Sequence, residues 1–292
     1  MVLPVDELLS WFDAAERDLP WRRPDTTAWG VLLSEVMSQQ TPVARVAPIW
    51  QEWIARWPTP AAFAAAGADE VLRAWGRLGY PRRALRLLDC ARVLVAEHDG
   101  EVPGNVDALL ALPGVGDYTA RAVAAFHFEL NVPVVDTNVR RVYHRWARGT
   151  FLQPPARKRD FGDVAELLPA DARGPRVSAA LMELGAMVCT ASSPTCYSCP
   201  LRGSCSWIAA GCPEPSADER AAAKKRVQKF AGTDRQVRGL IMAVLREAGD
   251  GVDKAAIDVV WPDAAQRSRA LYSLVQDGLA EQDDAGRFRL PR

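Results

Sequence analysis

Apolar residues recur at three- and four-residue intervals through most of the chain, while alternation of every second residue is nearly missing before the C-terminal end. TAWGVLLSEVMSQQTPVARVAPIWQEWIARW, ADEVLRAWGRLG and PRRALRLLDCARVLVAEH each carry the helical period. Proline and glycine interrupt it at residues 58–60, 100–104, 131–133, 154–155 and 169–175. The pattern predicts a mainly α protein built from many short helices.

The pattern changes after Cys212. PEPSADERAAAKKRVQKFAG is polar, alanine-rich and basic, and predicts a linker over 213–232. Beyond it, 234–248, 254–260 and 264–278 read as three helices, and LAEQDDAGRFRL as a hairpin turning at Asp284–Gly286. Three helices and a hairpin predict a small winged-helix-like module over 233–292.

Composition narrows the function classes. With 292 residues, 49% of them hydrophobic, the chain can bury more than one core. The formal net charge is zero, so affinity for nucleic acid has to come from local patches. The amphipathic, acidic start MVLPVDELLSWFDAAERD is unlike a secretory signal, and no apolar run approaches a membrane span. A soluble cytoplasmic protein is expected, with no membrane partner.

Three constellations carry candidate chemistry. Residues 105–130, which open with NVDALLALPGVGDYTARAVAAF, read as helix, hairpin, helix, with Asn105 and Asp117 as caps. Gly114 and Gly116 give the turn backbone freedom, so the N–H groups of Gly114, Val115 and Gly116 can face a phosphate oxygen. An ordinary helix connection would read the same way. Second, Cys189, Cys196, Cys199 and Cys205 are separated by six, two and five residues. Four thiolates so close suit an iron–sulfur cluster or zinc. Cys90 lies in an apolar helix and reads as core. Third, VVDTNVRRVYHR sets Asp136 after two valines and before a helix, where Asn138 can hold its carboxylate. Seven Arg or Lys and no acid lie between 137 and 159, a patch for phosphates or a solvated helix face.

Hairpin, Asp136 and cysteine loop in this order resemble the helix-hairpin-helix base-excision glycosylases, a likeness covering residues 1 to about 212. LPWRRPDTTAWGVLLSEVMSQQTPV and LMELGAMVC are similar to the adenine-specific branch, the MutY family. That resemblance implies a two-lobed fold. A cluster-bearing lobe would take 1–25 and 134–212, and a six-helix lobe 26–133. It also implies a 4Fe–4S cluster on the four cysteines and a partner in double-stranded DNA containing a mispaired adenine. The enzyme would be a nucleoid-associated monomer that removes adenine opposite 8-oxoguanine or guanine. Its catalytic residues would fall on Glu35 and Asp136, its pocket on Arg17, Trp21, Arg22 and Glu183, and its intercalating residues on Gln40, Leu78 and Tyr80.

These residue types suit the reaction. Glu35, kept protonated by burial, can give a proton to adenine N7 as the base departs. An ionised Asp136 can stabilise the oxocarbenium-like sugar. Bifunctional relatives carry a lysine after the hairpin, and Tyr118 stands there instead, which implies hydrolysis without strand cleavage. A thymine-specific mismatch glycosylase and a non-catalytic iron–sulfur regulator are the competing readings. Glu35 with Glu183 argues against the first, Glu35 with Asp136 against the second.

The chain also departs from the family. Thr137 replaces the usual glycine between Asp and Asn, and Pro81 a second tyrosine. Only 62 residues follow Phe230, too few for the usual lesion-reading domain, and no histidine lies beyond His144 to form its Phe-Ser-His tip. Residues 231–292 carry nine basic and ten acidic side chains, and read as a docking module as readily as a DNA contact. Deleting them is expected to change lesion selectivity little.

Overall fold

A computed structural model describes residues 2–225 and 230–292. In chain order the helices are α1 (Val5–Ala15), α2 (Ala28–Met37), α3 (Val43–Arg56), α4 (Pro60–Ala64), α5 (Ala68–Trp75), α6 (Arg82–Glu97), α7 (Val106–Ala111) and α8 (Asp117–Phe126). They continue with α9 (Thr137–Arg148), α10 (Arg159–Ala165), α11 (Gly174–Met187), α12 (Ser206–Ala209), α13 (Ala217–Lys225), α14 (Asp234–Glu247), α15 (Lys254–Asp258) and α16 (Ala264–Gln276). Two short strands follow, β1 (Glu281–Gln282) and β2 (Phe288–Arg289), paired antiparallel. Among the described residues no helix is long and apolar enough to cross a membrane.

The chain divides into two compact units. Unit 1 holds residues 1–31, 104–111 and 115–227; unit 2 holds 32–103, 112–114 and 228–292. These bounds differ from those read in the sequence. The hairpin helices α7 and α8 group with unit 1 because α8 packs on α11, and the tail groups with unit 2 because α14 packs on α5.

Unit 1 is built on α9 and α11. Val139, Val142 and Trp146 from α9 meet Val177, Leu181 and Leu184 from α11, and α1 adds Leu8 and Phe12. Glycine is required where the two helices cross: a Cβ on Gly185 would lie 2.7 Å from the Cβ of Asn138. A helix, α13, occupies much of the predicted linker, and residues 226–229 of that linker lie outside the described residues.

Unit 2 has an aromatic centre. Trp53 packs against Trp57, Phe63 and Trp75 with ring centroids 5.1, 5.2 and 5.6 Å away. Each buried indole N–H needs an acceptor. Trp53 donates to the Ala74 carbonyl at 3.2 Å and Trp75 to the Gly79 carbonyl at 2.9 Å. Ala84, Leu87, Leu88, Ala91 and Leu94 recur along α6 at helical spacing and are buried against α4 and α5, with Cys90 buried among them.

The tail follows its predicted pattern with slightly shorter helices. Val237, Ile241 and Leu245 of α14 are buried, as are Ile257, Leu271, Leu274 and Phe288, and α14 packs on α15 and α16. A bridge from Val252 to Phe288, bonded both ways at 2.8 Å, adds a third edge to the β ribbon.

Candidate active site

Asp136 sits where the sequence places it, as the cap of α9. Its carboxylate accepts from the Val139 N–H at 2.7 Å and the Asn138 side-chain amide at 2.8 Å. Burial pushes its pKa above the usual carboxylate value, against the pull of those two donors and of Arg141. Asn138 is fixed in turn: Arg141 donates to its side-chain oxygen at 2.7 Å, to the Gly185 carbonyl at 2.5 Å and to the Cys189 carbonyl at 2.7 Å. Tyr118, on the first turn of α8, is partly buried against Ala122, Ala125 and Val134.

Arg17, Arg22 and Glu183 come together in unit 1 from widely separated positions. Glu183 is 1% exposed. It accepts from Arg17 Nε at 2.6 Å, Arg17 Nη2 at 2.9 Å and Arg22 Nη2 at 2.9 Å. Burial alone would raise the Glu183 pKa, but the two guanidiniums outweigh it and hold the carboxyl below its ordinary value. Trp21 lies between the two arginines in a 3-10 turn, Pro20–Arg22, which directs Arg22 over the Phe12 ring at 5.5 Å.

In unit 2, Glu35 is on α2 in its apolar run and is 8% exposed. The segments expected to intercalate are turns of unusual backbone. Gln40 and Tyr80 both adopt left-handed conformations, at φ 56° and 48°, and Gly79 between Leu78 and Tyr80 has φ 82°. Such a conformation costs a residue with a Cβ roughly 1–2 kcal/mol, so surrounding contacts must hold it. Arg83 supplies them. It donates to the Val36 and Gln39 carbonyls, both at 2.7 Å, and to the Gly79 carbonyl at 3.1 Å. Its guanidinium also faces the Trp75 and Tyr80 rings at 5.2 and 5.5 Å. Thr41 joins the two turns through a 3.0 Å bond to the Leu78 carbonyl.

Tyr80 is 42% exposed and Gln40 is exposed as well, but Leu78 is 3% exposed. Leu78 therefore differs from expectation. Its side chain belongs to the core, and its carbonyl rather than its methyl groups supports the turn. Arg83 escaped the sequence reading, because nothing in PRRALRLL distinguishes it from its neighbours Arg82 and Arg86.

The hairpin residues differ in backbone. Gly114 has φ 78°, and a Cβ there would lie 2.8 Å from Arg86 Cβ, so two constraints demand glycine. Gly116 is extended and is the cap residue of α8, without a side-chain cap bond. Asp117 thus begins the helix instead of capping it. Asn105 does cap α7, accepting from the Ala108 N–H at 2.8 Å.

The basic stretch also needs correcting. Arg140 is buried and pairs with Asp160 at 2.6 Å. Arg145 is buried and donates to the Phe151, Thr190 and Ala191 carbonyls at 3.1, 2.7 and 2.9 Å. These cations are internal fasteners. Arg157, Lys158 and Arg159 remain exposed.

Cys189, Cys196, Cys199 and Cys205 line one pocket together with Val188, Trp207 and Arg145. Arg145 lies 3.4 Å from Cys189 Sγ. Among the described residues no three of His, Cys, Asp or Glu are grouped to hold a single metal ion. Four soft donors lining one apolar space, beside a buried cation, fit a thiolate-bound cluster in chemistry.

Comparison with known proteins agrees with this geometry. Residues 33–159 match the HhH-GPD superfamily of base excision DNA repair proteins. The chain is 59% identical to an adenine DNA glycosylase of Mycolicibacterium smegmatis over 290 residues, 99% of this chain and 96% of that one. It is 41% identical to the human adenine DNA glycosylase over 68% of this chain and 38% of the human one. Among solved structures it is similar to a thermostable thymine-DNA glycosylase, with TM-score 0.65 and 27% identity over 70% of this chain and 95% of that one. A trapped endonuclease III–DNA covalent intermediate follows at TM-score 0.62 and 26% identity, over 72% of this chain and 95% of that one. The chain belongs to the HhH-GPD superfamily of base excision DNA repair proteins and, within it, to the adenine DNA glycosylase family.

Proposed function

We propose that this protein is a monofunctional glycosylase that removes adenine mispaired with 8-oxoguanine or guanine in double-stranded DNA. The observation that carries the reading is the half-buried Asp136 carboxylate, held by two donors at the head of α9, in a chain 59% identical to an adenine DNA glycosylase. Glu35 protonates N7, so that the base leaves neutral as the bond to the sugar breaks. Asp136 stabilises the positive charge that develops on the sugar, and water then adds at the same carbon. Adenine and an abasic site result. With Tyr118 in place of an amine, no Schiff base forms and the strand stays intact.

The remaining residues position the base. Arg17, Trp21 and Arg22 with Glu183 line the adenine pocket, with Glu183 buried beneath the two arginines. Tyr80 and Gln40 fill the stack when the adenine turns out. Backbone N–H groups of Gly114, Val115 and Gly116 grip a phosphate. Cys189, Cys196, Cys199 and Cys205 hold a 4Fe–4S cluster, which when bound would fix the loop bearing Arg202 in shape. Residues 1–25 and 134–212 form the cluster-bearing part, and 233–292 a winged-helix-like module.

The test is a single-turnover panel of duplexes with adenine opposite 8-oxoguanine, guanine, cytosine and thymine, developed with alkali. Excision opposite 8-oxoguanine and guanine, with strand breaks only after alkali, is expected. Removal of thymine from T:G with adenine untouched would overturn the reading.

A further inference from the structure

The C-terminal module has no role in the mechanism above, yet it closes on the turn that carries Tyr80. Within unit 2, Arg235 at the start of α14 donates from Nη1 to the Tyr80 hydroxyl at 2.9 Å, across 155 positions of sequence. Its guanidinium also lies 5.9 Å from the Tyr80 ring centroid and 5.2 Å from that of Phe230.

The module is anchored on both sides of that turn. Before it, Arg73 donates to the Arg246 carbonyl and, at 2.7 Å, to the Ala248 carbonyl, while Arg246 returns a 3.1 Å bond to the Leu72 carbonyl. After it, Arg82 pairs with Asp277 at 3.2 Å, and Arg238 holds the same carboxylate at 2.6 Å. Between these anchors Gly76, Gly79 and Tyr80 all have positive φ, at 54°, 82° and 48°. A turn so strained persists only where its neighbours over-determine it. Arg83 grips its backbone, and Arg235 is the module's grip on the Tyr80 side chain.

We propose that the C-terminal module serves mismatch recognition by holding the Tyr80 ring, with Arg235 as the positioning residue. This rests on the reading of Tyr80 as an intercalating residue. It replaces the expectation that loss of residues 231–292 leaves selectivity little changed, because that deletion removes Arg235.

The test uses the full chain and a duplex with adenine opposite 8-oxoguanine. A 2′-fluorine on the adenosine keeps the bond intact, and 2-aminopurine beside the mispair brightens when unstacked. Arg235→Ala and Tyr80→Phe should each weaken binding and dim the 2-aminopurine signal about 3- to 10-fold, the range for one charge-assisted hydrogen bond at a partly exposed site. The double variant should be no weaker than either single one, and Arg235→Lys should recover part of the loss. Arg289→Ala, which removes a cation paired with Glu281 in the hairpin, should match the parent. Parental binding by a folded Arg235→Ala protein, with Tyr80→Ala impaired, would overturn the proposal and leave the intercalation reading standing. Additive losses in the double variant would overturn it too. Parental binding by Tyr80→Ala would remove the intercalation reading itself, and the proposal with it.

Discussion

Both the head of α9 and the Tyr80 turn depend on arginines that reach backbone carbonyls, yet they are built in opposite ways. At α9 the backbone is regular, and every bond named around Asp136 and Asn138 reinforces the cap geometry. Arg141 and Arg145 extend that order to the cysteine loop. At the Tyr80 turn the backbone is left-handed, and Arg83 is the fastener with a defect: its Nε is buried with no hydrogen-bond partner among the described residues. Burial also lowers the Arg83 pKa to about 10. The contrast teaches that a group which must hold charge in one place gains from an unstrained, satisfied frame. A group that stands exposed on a left-handed turn depends instead on side chains reaching in from distant parts of the chain to hold it.

The largest expected effects test the first frame. Glu35→Gln and Asp136→Asn should each lower the single-turnover excision rate by about 10²–10⁴ while mismatch binding persists in a gel-shift titration. Parental rates in either variant would break the comparison, since Asp136 would then be an ordinary helix cap.

Next comes the cysteine loop. Cys199→Ser, or stripping of metal by a chelator, should abolish the brown absorbance and lower soluble yield and DNA affinity, because the carbonyls gripped by Arg141 and Arg145 would lose their fixed loop. Iron analysis of anaerobically purified protein checks the premise; stoichiometric zinc without iron would sink it.

Arg83→Met sharpens the second frame. It leaves several carbonyls without their donor, and each loss of that kind costs about 1–3 kcal/mol. A clear fall in the urea midpoint is expected, together with weaker mismatch binding. A midpoint matching the parent would show that the turn holds itself.

The smallest effect concerns acid. The Glu183 pKa is depressed below its ordinary 4.5 in the folded protein, so its contribution to stability is complete above about that pH and fades as pH falls through the folded value. Asp136 has the opposite sign: its raised pKa means that its ionised form is lost at a higher pH than for a free aspartate. Acid titration should therefore cut excision before it melts the protein. Glu183→Gln should flatten the acid dependence of melting, read by circular dichroism.

The sequence by itself determined whatever depends on neighbours along the chain. The three- and four-residue apolar spacing gave the helices, Asn105 and Asp136 their caps, Gly114 its turn, and the tail its three helices and hairpin. Clustered cysteines disclosed their loop for the same reason. Carrying the family's motifs onto the chain marked Arg17, Arg22 and Glu183, although their meeting around one buried carboxylate was a tertiary event. Only the tertiary structure decided that Leu78 is core while Tyr80 is surface. It alone showed that Arg140 and Arg145 are fasteners, and that Arg83 and Arg235 hold the exposed tyrosine. An arginine reads alike in sequence whether it faces solvent, a phosphate or a buried carbonyl. Its partner is chosen by which distant backbone the fold brings within about 3 Å, and no local pattern encodes that.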